Sequence, residues 1–490
     1  MQMPEPDRSV IVRRQEIAQA LGRLVPGGVI AEESDLVAYE CDALTAYRQP
    51  PLLAVLPRTT AEVAAVLAWC HENRVKMVPR GAGTSLSGGA LPLADGILLV
   101  MTRFNRILDI DLANRCAVVQ PGVTNLAVSQ AVAAEGFYFA PDPSSQIACS
   151  IGGNVAENAG GVHCLKYGMT GSNILGLEMV LPTGEILRIG GKHLDPEGYD
   201  FMALITGSEG LLGVVTEVTV RLLRKPATAR ALLMGFSSVE EAGAAVAAII
   251  GAGIIPAGLE MMDRDAVRVA EDYVKAGYPL DVEALLICEL DGPAAEVDHL
   301  IGRVSEVVAK HNPLSVRASN SEEERLKFWA GRKSAFPAVG RISPDYLCMD
   351  GTIPRRRLPE VLRRTAEMAR ARNLRVVNVF HAGDGNLHPM ILFDANIPGE
   401  LEQAEALGSD ILKLCVEVGG VLTGEHGVGV EKRDLMGTMF SPTDLDRQEQ
   451  VKRAFDPREL LNPGKVFPTS KGCGESFGLK SPNFANLPRF

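Results

Sequence analysis

None of the nine cysteines in this 490-residue chain belongs to a Cys-x-x-Cys pair. They stand at 41, 70, 116, 149, 164, 288, 348, 415 and 473. That spacing encodes neither an iron–sulfur cluster nor a thiolate zinc site. An odd, scattered set points to the reduced thiols of a cytoplasmic protein. Aromatic residues make up only 5%, there is no block of Lys and Arg, and the net charge is −11. No nucleic-acid-binding surface is expected from such a chain. Long apolar runs are missing too. The charge-free apolar stretch Ala242–Leu259 is broken by Gly251, Gly253 and Pro256 and falls short of the ~20 residues of a spanning helix. Ser237 and Ser238 ahead of Glu240 and Glu241 read instead as the capped start of a soluble helix. The opening MQMPEPDRSVIVRRQEIAQAL lacks the apolar core of a signal peptide.

What is present is the balance of a globular protein, 46% apolar and 22% charged. The length predicts two or three domains. Residues 1–46 read as a helical lead-in. From 47 to 226 strands and helices alternate: LLAVLPR, VKMVPR, GILLVM and CAVVQPG are strand-like. Thr59 and Glu62 predict a capping box for the helix TAEVAAVLAWCHENR. Beyond Pro226 glycine thins out, and longer helical patterns alternate with short strands through 425. This predicts a second, α+β unit. Residues 426–490 close the chain with a helical segment.

Two glycine-rich stretches interrupt the first unit. RGAGTSLSGG (80–89) superficially suits a dinucleotide fingerprint, but Gly88, Gly89 and Pro92 forbid the helix that fingerprint requires. Such a loop binds anions through its own backbone amides. Alone it would be equally compatible with a surface turn. The second stretch, PDPSSQIACSIGGNVAENAGGVHCLKYGMTGSNILG, reads as an uncommonly long loop without the charge of disorder. Two such stretches flanking strands suit a pyrophosphate-bearing cofactor laid along both.

The segment NVFHAGDGNLHPMILF (378–393) places His381 and His388 around Asp384-Gly385. Read as a hairpin on that dipeptide, it pairs His381 directly with His388 on one face. TGEHGVG adds Glu425 and His426 between glycines. Two histidines and a carboxylate form the ligand set of an open catalytic metal site, and Zn and Mn both fit it.

These motifs, in this order, resemble the vanillyl-alcohol-oxidase (PCMH-type) flavoprotein superfamily, and the resemblance covers nearly the whole chain. It implies an α+β fold: a two-subdomain FAD-binding domain (47–226), an α+β substrate or cap domain with an antiparallel sheet (227–425), and a C-terminal segment (426–490) returning to the FAD domain. By that resemblance the flavin contacts are Pro79, Arg80, Gly81, Ala82, Gly83, Thr84 and Ser85 in the first loop. Pro141, Ser144, Gly152, Gly153, Asn154, Ala159, Gly160, Gly161, Tyr167 and Gly168 follow in the second. Glu209, Gly213, Val215 and Asn462 complete the set. No histidine lies within 72–162, so the expected FAD is non-covalent. His163 is the one nearby candidate for attachment, and a structural role is expected for it.

HAGDGNLH and GEHG resemble the metal-dependent FAD-linked D-2-hydroxyacid dehydrogenases, a group that includes D-lactate and D-2-hydroxyglutarate dehydrogenases and the D subunit of bacterial glycolate oxidase. CMDGTIPR (348–355) looks most like the last. The family pattern makes His381, His388 and Glu425 ligands of one divalent metal and His426 the base. It sets Asn386 near the substrate and Arg332 on its carboxylate, where a guanidinium could bind bidentately. D-2-hydroxyglutarate dehydrogenases carry Lys where this chain has Cys348 and Thr where it has Phe336, which favours a small monocarboxylate. Oxidation of glycolate or D-lactate is the expected activity. A dehydrogenase of another D-2-hydroxy acid such as D-2-hydroxyglutarate, a metallohydrolase, and a non-catalytic flavoprotein subunit of an electron-transfer complex are the competing readings. By the same resemblance the electrons go to a second flavin-domain subunit and an iron–sulfur subunit, with any inner-membrane contact made through them. A soluble carrier and a homodimer remain open.

Overall fold

Short apolar strands build the first sheet. Leu53–Val55, Gly96–Val100 and Lys76–Arg80 run parallel, with Val29–Ile30 antiparallel at the Leu53–Val55 edge. The first two are buried at every position, as parallel strands covered on both faces must be. The computed structural model describes residues 3–194 and 198–468, so Cys473 and the end of the 426–490 segment lie outside the described residues. The helices Arg14–Leu24 and Thr60–Asn73 pack on this sheet through Ile17, Leu21, Val63, Val66 and Leu67. Thr59 accepts from the Glu62 amide, while Glu62 accepts from the amide of Arg58 rather than that of Thr59. The expected capping box is thus displaced by one residue on its return arm.

A second, antiparallel sheet runs in the order Ile107–Asp111, Cys116–Val119, Val214–Arg221, Ile174–Val180, Ile186–Gly190. The second glycine-rich stretch, between Cys116–Val119 and Ile174–Val180 of this sheet, is not the long loop that its glycines suggest. Ser150 caps a helix, Ile151–Glu157, by accepting from the Gly153 amide. Ile151 and Val155, one turn apart, are fully buried in the core of this subdomain. The glycine has a packing reason: a Cβ on Gly152 would lie 2.6 Å from that of Pro121.

The remainder is organised by a seven-stranded antiparallel sheet. Its order is Ser315–Ala318, Thr228–Phe236, Ala284–Gly292, Gly258–Asp263, Arg375–Phe380, Pro389–Phe393, Asp345–Cys348. Period-two alternation feeds both faces. Leu232, Met234 and Phe236 pack against the helices Val239–Gly251, Ala294–Val308 and Leu358–Ala371. Ala231 and Leu233 pack against Arg264–Val274, Glu322–Lys333 and Ala335–Val339. After the helix Pro442–Phe455 the chain returns to the first sheet. Leu461 bridges Met77 in parallel, and the Asn462 amide donates to the Met77 carbonyl at 2.6 Å.

Polar contacts join the second glycine-rich stretch to the large sheet. His163 sits between Asp142 (2.8 Å) and Glu289 (3.1 Å), and Glu289 also pairs with Arg325 at 2.6 Å. Lys166 and Tyr167 both bind Asp291, two residues along the same strand. Burial disfavours the His163 imidazolium, but Asp142 and Glu289 outweigh it and push its pKa up to about 10 from 6.5. A raised folded-state pKa stabilises fully below the unfolded value and is lost as pH climbs through the folded one. His163→Gln is therefore expected to cost about 2–4 kcal/mol at pH 6. The deficit should shrink between about pH 6.5 and 10, as read by urea unfolding of both proteins across that range.

Candidate active site

The hairpin that carries the histidines is set two residues away from the expected register. Asn378 pairs with Pro389, and His381 with Asn386, not with His388. Four residues, 382–385, make the turn. Gly385 has φ +86°, its amide donates to the His381 carbonyl, and Asp384 accepts from the Asn386 amide. Neighbouring chain fixes this longer turn: the Gly383 amide donates to Leu259, and the Ile353 amide donates to Gly385. The slip is an even number, so the faces are preserved. His388 becomes the diagonal neighbour of His381 on the same face, and the two rings lie 5.1 Å apart.

Glu425 completes the group. Its Oε1 is 3.2 Å from His381 Nε2 and 3.3 Å from His388 Nε2. One ligand atom from each of these three residues lies within 4.8 Å of the others. His388 Nε2 is buried without a hydrogen-bond partner. An unsatisfied buried nitrogen beside a carboxylate and a second imidazole is what a divalent cation would satisfy. The donor set therefore fits the expected metal. His426 stacks on His388, 4.9 Å between centroids and 4° between planes, and its Nδ1 is buried and unpartnered. Burial lowers the His426 pKa to about 4, with Asp350 opposing and His388 and Lys432 adding to the shift. Burial acts against the His381 imidazolium, but Glu260 and Glu425 raise its pKa well above the ordinary value.

Glu260 is a residue that the motifs do not reveal. Its Oε1 is 2.7 Å from His381 Nδ1, so it sets the orientation of that ring. Its Oε2 accepts from Arg332 Nε (2.8 Å) and Nη2 (2.7 Å). Arg332 is 1% exposed. It reaches the site through Glu260, and only its Nη1 is left without a partner. The bidentate edge expected for a substrate carboxylate is thus already turned towards Glu260. Asn386 is buried under the Gly424 turn with its Oδ1 unpartnered.

His381, His388, Glu425, His426 and Phe336 share one cavity of about 390 Å³ with the glycine-rich segments. Pro79, Arg80, Gly81, Ala82, Gly83, Thr84 and Ser85 line it without a break, joined by Ser144, Gly152, Gly153, Asn154, Ala159, Glu209, Gly213 and Val215. Other expected flavin contacts stand elsewhere. The Pro141 carbonyl accepts from Asn125, and Tyr167 donates to Asp291. Gly168 ends a short helix, and Asn173 donates to its carbonyl. Gly160 lies beneath Glu425, and Gly161 presses on Asp142 and Pro143. The Asn462 amide donates to Gly89 and Glu209 carbonyls, so it joins the closing segment to the site's wall. The Glu209 carboxylate accepts from the Val428 and Gly429 amides and holds the loop that follows His426.

A parallel-sheet subdomain, an antiparallel subdomain and a large capping sheet around one glycine-walled cavity define a two-domain FAD-linked oxidoreductase. Residues 51–190 match the FAD binding domain family, and residues 225–466 match the family of FAD linked oxidases, C-terminal domain. Glycolate oxidase subunit GlcD of Escherichia coli (strain K12) is 58% identical over 478 residues, 97% of this chain and 96% of that protein. The GlcD subunit of Bacillus subtilis (strain 168) is 40% identical over 432 residues, 88% of this chain and 92% of that one. D-lactate dehydrogenase of Anaerostipes hadrus is 32% identical over 461 residues, 92% and 97% respectively. The chain belongs to the FAD-linked oxidases of the glycolate oxidase subunit GlcD family. Its fold is that of p-cresol methylhydroxylase, with a TM-score of 0.80 at 16% identity over 94% of this chain and 98% of that one.

Proposed function

We propose that the protein oxidises a small D-2-hydroxy acid, glycolate to glyoxylate or D-lactate to pyruvate, with non-covalent FAD and one divalent metal, Zn or Mn. One observation carries the reading: the His381–His388–Glu425–His426 group and the flavin loops line the same cavity. Bound there, the metal would acidify the substrate hydroxyl and FAD would take the hydride from the α-carbon.

The chain's own residues supply the rest. His381, His388 and Glu425 hold the metal. His426, stacked on His388 with an unpartnered ring nitrogen, takes the hydroxyl proton. Arg332 Nη1 is the buried donor left for the substrate carboxylate. Phe336 stands edge-on to His388 at 6.4 Å and limits the room beyond the α-carbon. Cys348 is a buried thiol and, unlike a lysine, offers no cation to a second carboxylate. Both features favour a monocarboxylate over D-2-hydroxyglutarate.

His163 is held by Asp142 and Glu289, which supports the non-covalent reading. Electrons leave to partners, a second flavin-domain subunit and an iron–sulfur subunit. The relatives from E. coli and B. subtilis are themselves named subunits. Among the described residues no helix is long and apolar enough to cross a membrane, so membrane contact is assigned to those partners.

The test is an anaerobic visible spectrum with glycolate, D-lactate, L-lactate and D-2-hydroxyglutarate added separately. Glycolate or D-lactate should bleach the flavin band, L-lactate should not, and a chelator should abolish the bleaching. A flavin that no hydroxy acid bleaches would overturn the reading in favour of a non-catalytic subunit. Slow peroxide release in air is expected, since the proposed acceptor is a partner and not oxygen.

A further inference from the structure

Asp350 has no place in the scheme above, yet it is 0% exposed and lies against His388 and the turn that carries Glu425 and His426. It follows the edge strand Asp345–Cys348 and precedes Gly351–Thr352, which pairs with Asn386–Leu387 of the histidine hairpin. Thr352 also exchanges backbone hydrogen bonds with Val421, at 3.2 and 2.9 Å, at the start of the segment that carries Glu425. The aspartate is therefore fixed from both sides by the two segments that supply the site.

Its carboxylate is spent on one turn. Oδ2 accepts from Thr423 Oγ1 (2.5 Å) and from the amides of Gly424 (2.9 Å), Glu425 (3.2 Å) and His426 (3.0 Å). Three successive amides converging on one anion form a nest. Oδ1 accepts from the Glu425 amide at 3.2 Å and stands 3.6 Å from His388 Nε2. Lys432 is equally buried and balances the charge, its Nζ 3.4 Å from Oδ2 and 2.8 Å from the Gly427 carbonyl. Thr423–Gly427 contains no helix or strand to set its shape; the carboxylate takes over that role.

We propose that Asp350 is the positioning residue of the site: by gathering the amides of 424–426 it aims Glu425 and His426 together at His388. Without it the turn would lose four hydrogen bonds to one charged acceptor, and among the described residues nothing else accepts from its three amides. The competing assignment is that Asp350 is itself a metal ligand, because it also groups with His388 and His426. The functional half of the inference rests on the roles proposed above for Glu425 and His426; its structural half does not.

The experiment is hydrogen exchange of the full-length flavoprotein, with and without chelator, on peptides covering 421–430, in wild type and D350N. Exchange at the 424–426 amides should rise by roughly 10- to 100-fold in D350N. The rise should occur with and without chelator, while flavin content stays at the wild-type level. kcat with glycolate should fall more than KM changes, because His426 is misplaced in every bound complex. The double variant D350N/K432M removes the uncompensated buried ammonium, and T423V removes one donor only. Either should show faster exchange of the same amides if D350N alone does not fold. Unchanged exchange in the folded variants would overturn the proposal. Lower metal content with unchanged exchange in the chelated protein would overturn it in favour of direct ligation. Faster exchange in a protein whose activity survives chelation would overturn the metal reading and leave the positioning role intact.

Discussion

Glu425→Gln is expected to strip the site of its metal and to cut kcat/KM by on the order of 10³- to 10⁴-fold, with flavin retained. Glu425 Oε1 bridges the two imidazoles, 3.2 Å from one Nε2 and 3.3 Å from the other. Glutamine keeps the length but removes the charge, and its NH₂ can take the place of the acceptor. Burial disfavours the Glu425 carboxylate, yet His381 and His388 hold its pKa well below the usual value, so wild type presents an anion there. His426→Ala is the control. It should lower kcat by about 10²- to 10⁴-fold with metal content unchanged. Glu260→Gln should fall between them, weakening metal binding by about 10- to 100-fold through the loosened His381 ring. Metal analysis beside steady-state rates separates the three. A Glu425→Gln protein with full metal and full activity would remove Glu425 from the site.

The sequence was informative where chemistry is carried by local, ordered motifs. PRGAGTS and SIGGN could be recognised as walls of one site because both match flavin-loop motifs in order, and both do line one cavity, although SIGGN does so from a capped helix and not from a loop. The His/His/Glu/His set could be recognised because those residue types cluster in two short segments. The hairpin register could not. Asp-Gly is a strong local turn signal, but Leu259 and Ile353 hold a longer turn from other parts of the chain. Tyr167 and Asn462 sit in motifs that resemble flavin contacts, yet their polar atoms bind Asp291 and the carbonyls of Gly89 and Glu209. Glu260 and Asp350 escaped for a different reason. Each is a lone acid in an apolar strand context, GLEMM and CMDGT, and no spacing rule marks it. The available signal was energetic: a charge in a buried strand, or in a buried link between two, must have a partner, and both have theirs in the site. Glu289 and Asp291 in LLICELDG carry the same signal, and their partners are His163, Lys166 and Tyr167.

Gly160→Ala is expected to lower kcat/KM by on the order of 10²-fold while barely moving Tm. The backbone at Gly160 is outside the left-handed region, so alanine brings no φ penalty. The difficulty is spatial. A Cβ there would sit 2.5 Å from Glu425 Oε2 and 3.5 Å from Cys164 Sγ. The carboxylate must yield, since the opposing atom is a side-chain end and not backbone. It has little freedom, being held between two histidines while its own amide binds Asp350. Displacement by an ångström would take Oε1 off the His381–His388 pair. The resemblance to flavin domains assigns Gly160 to the cofactor, and that assignment makes the opposite forecast. Alanine would then weaken FAD retention and leave metal content alone. Measuring both on one preparation decides between them. Metal lost with flavin kept would mean that the second glycine-rich segment also serves as the floor of the metal site. Flavin lost with metal kept would return Gly160 to the cofactor wall.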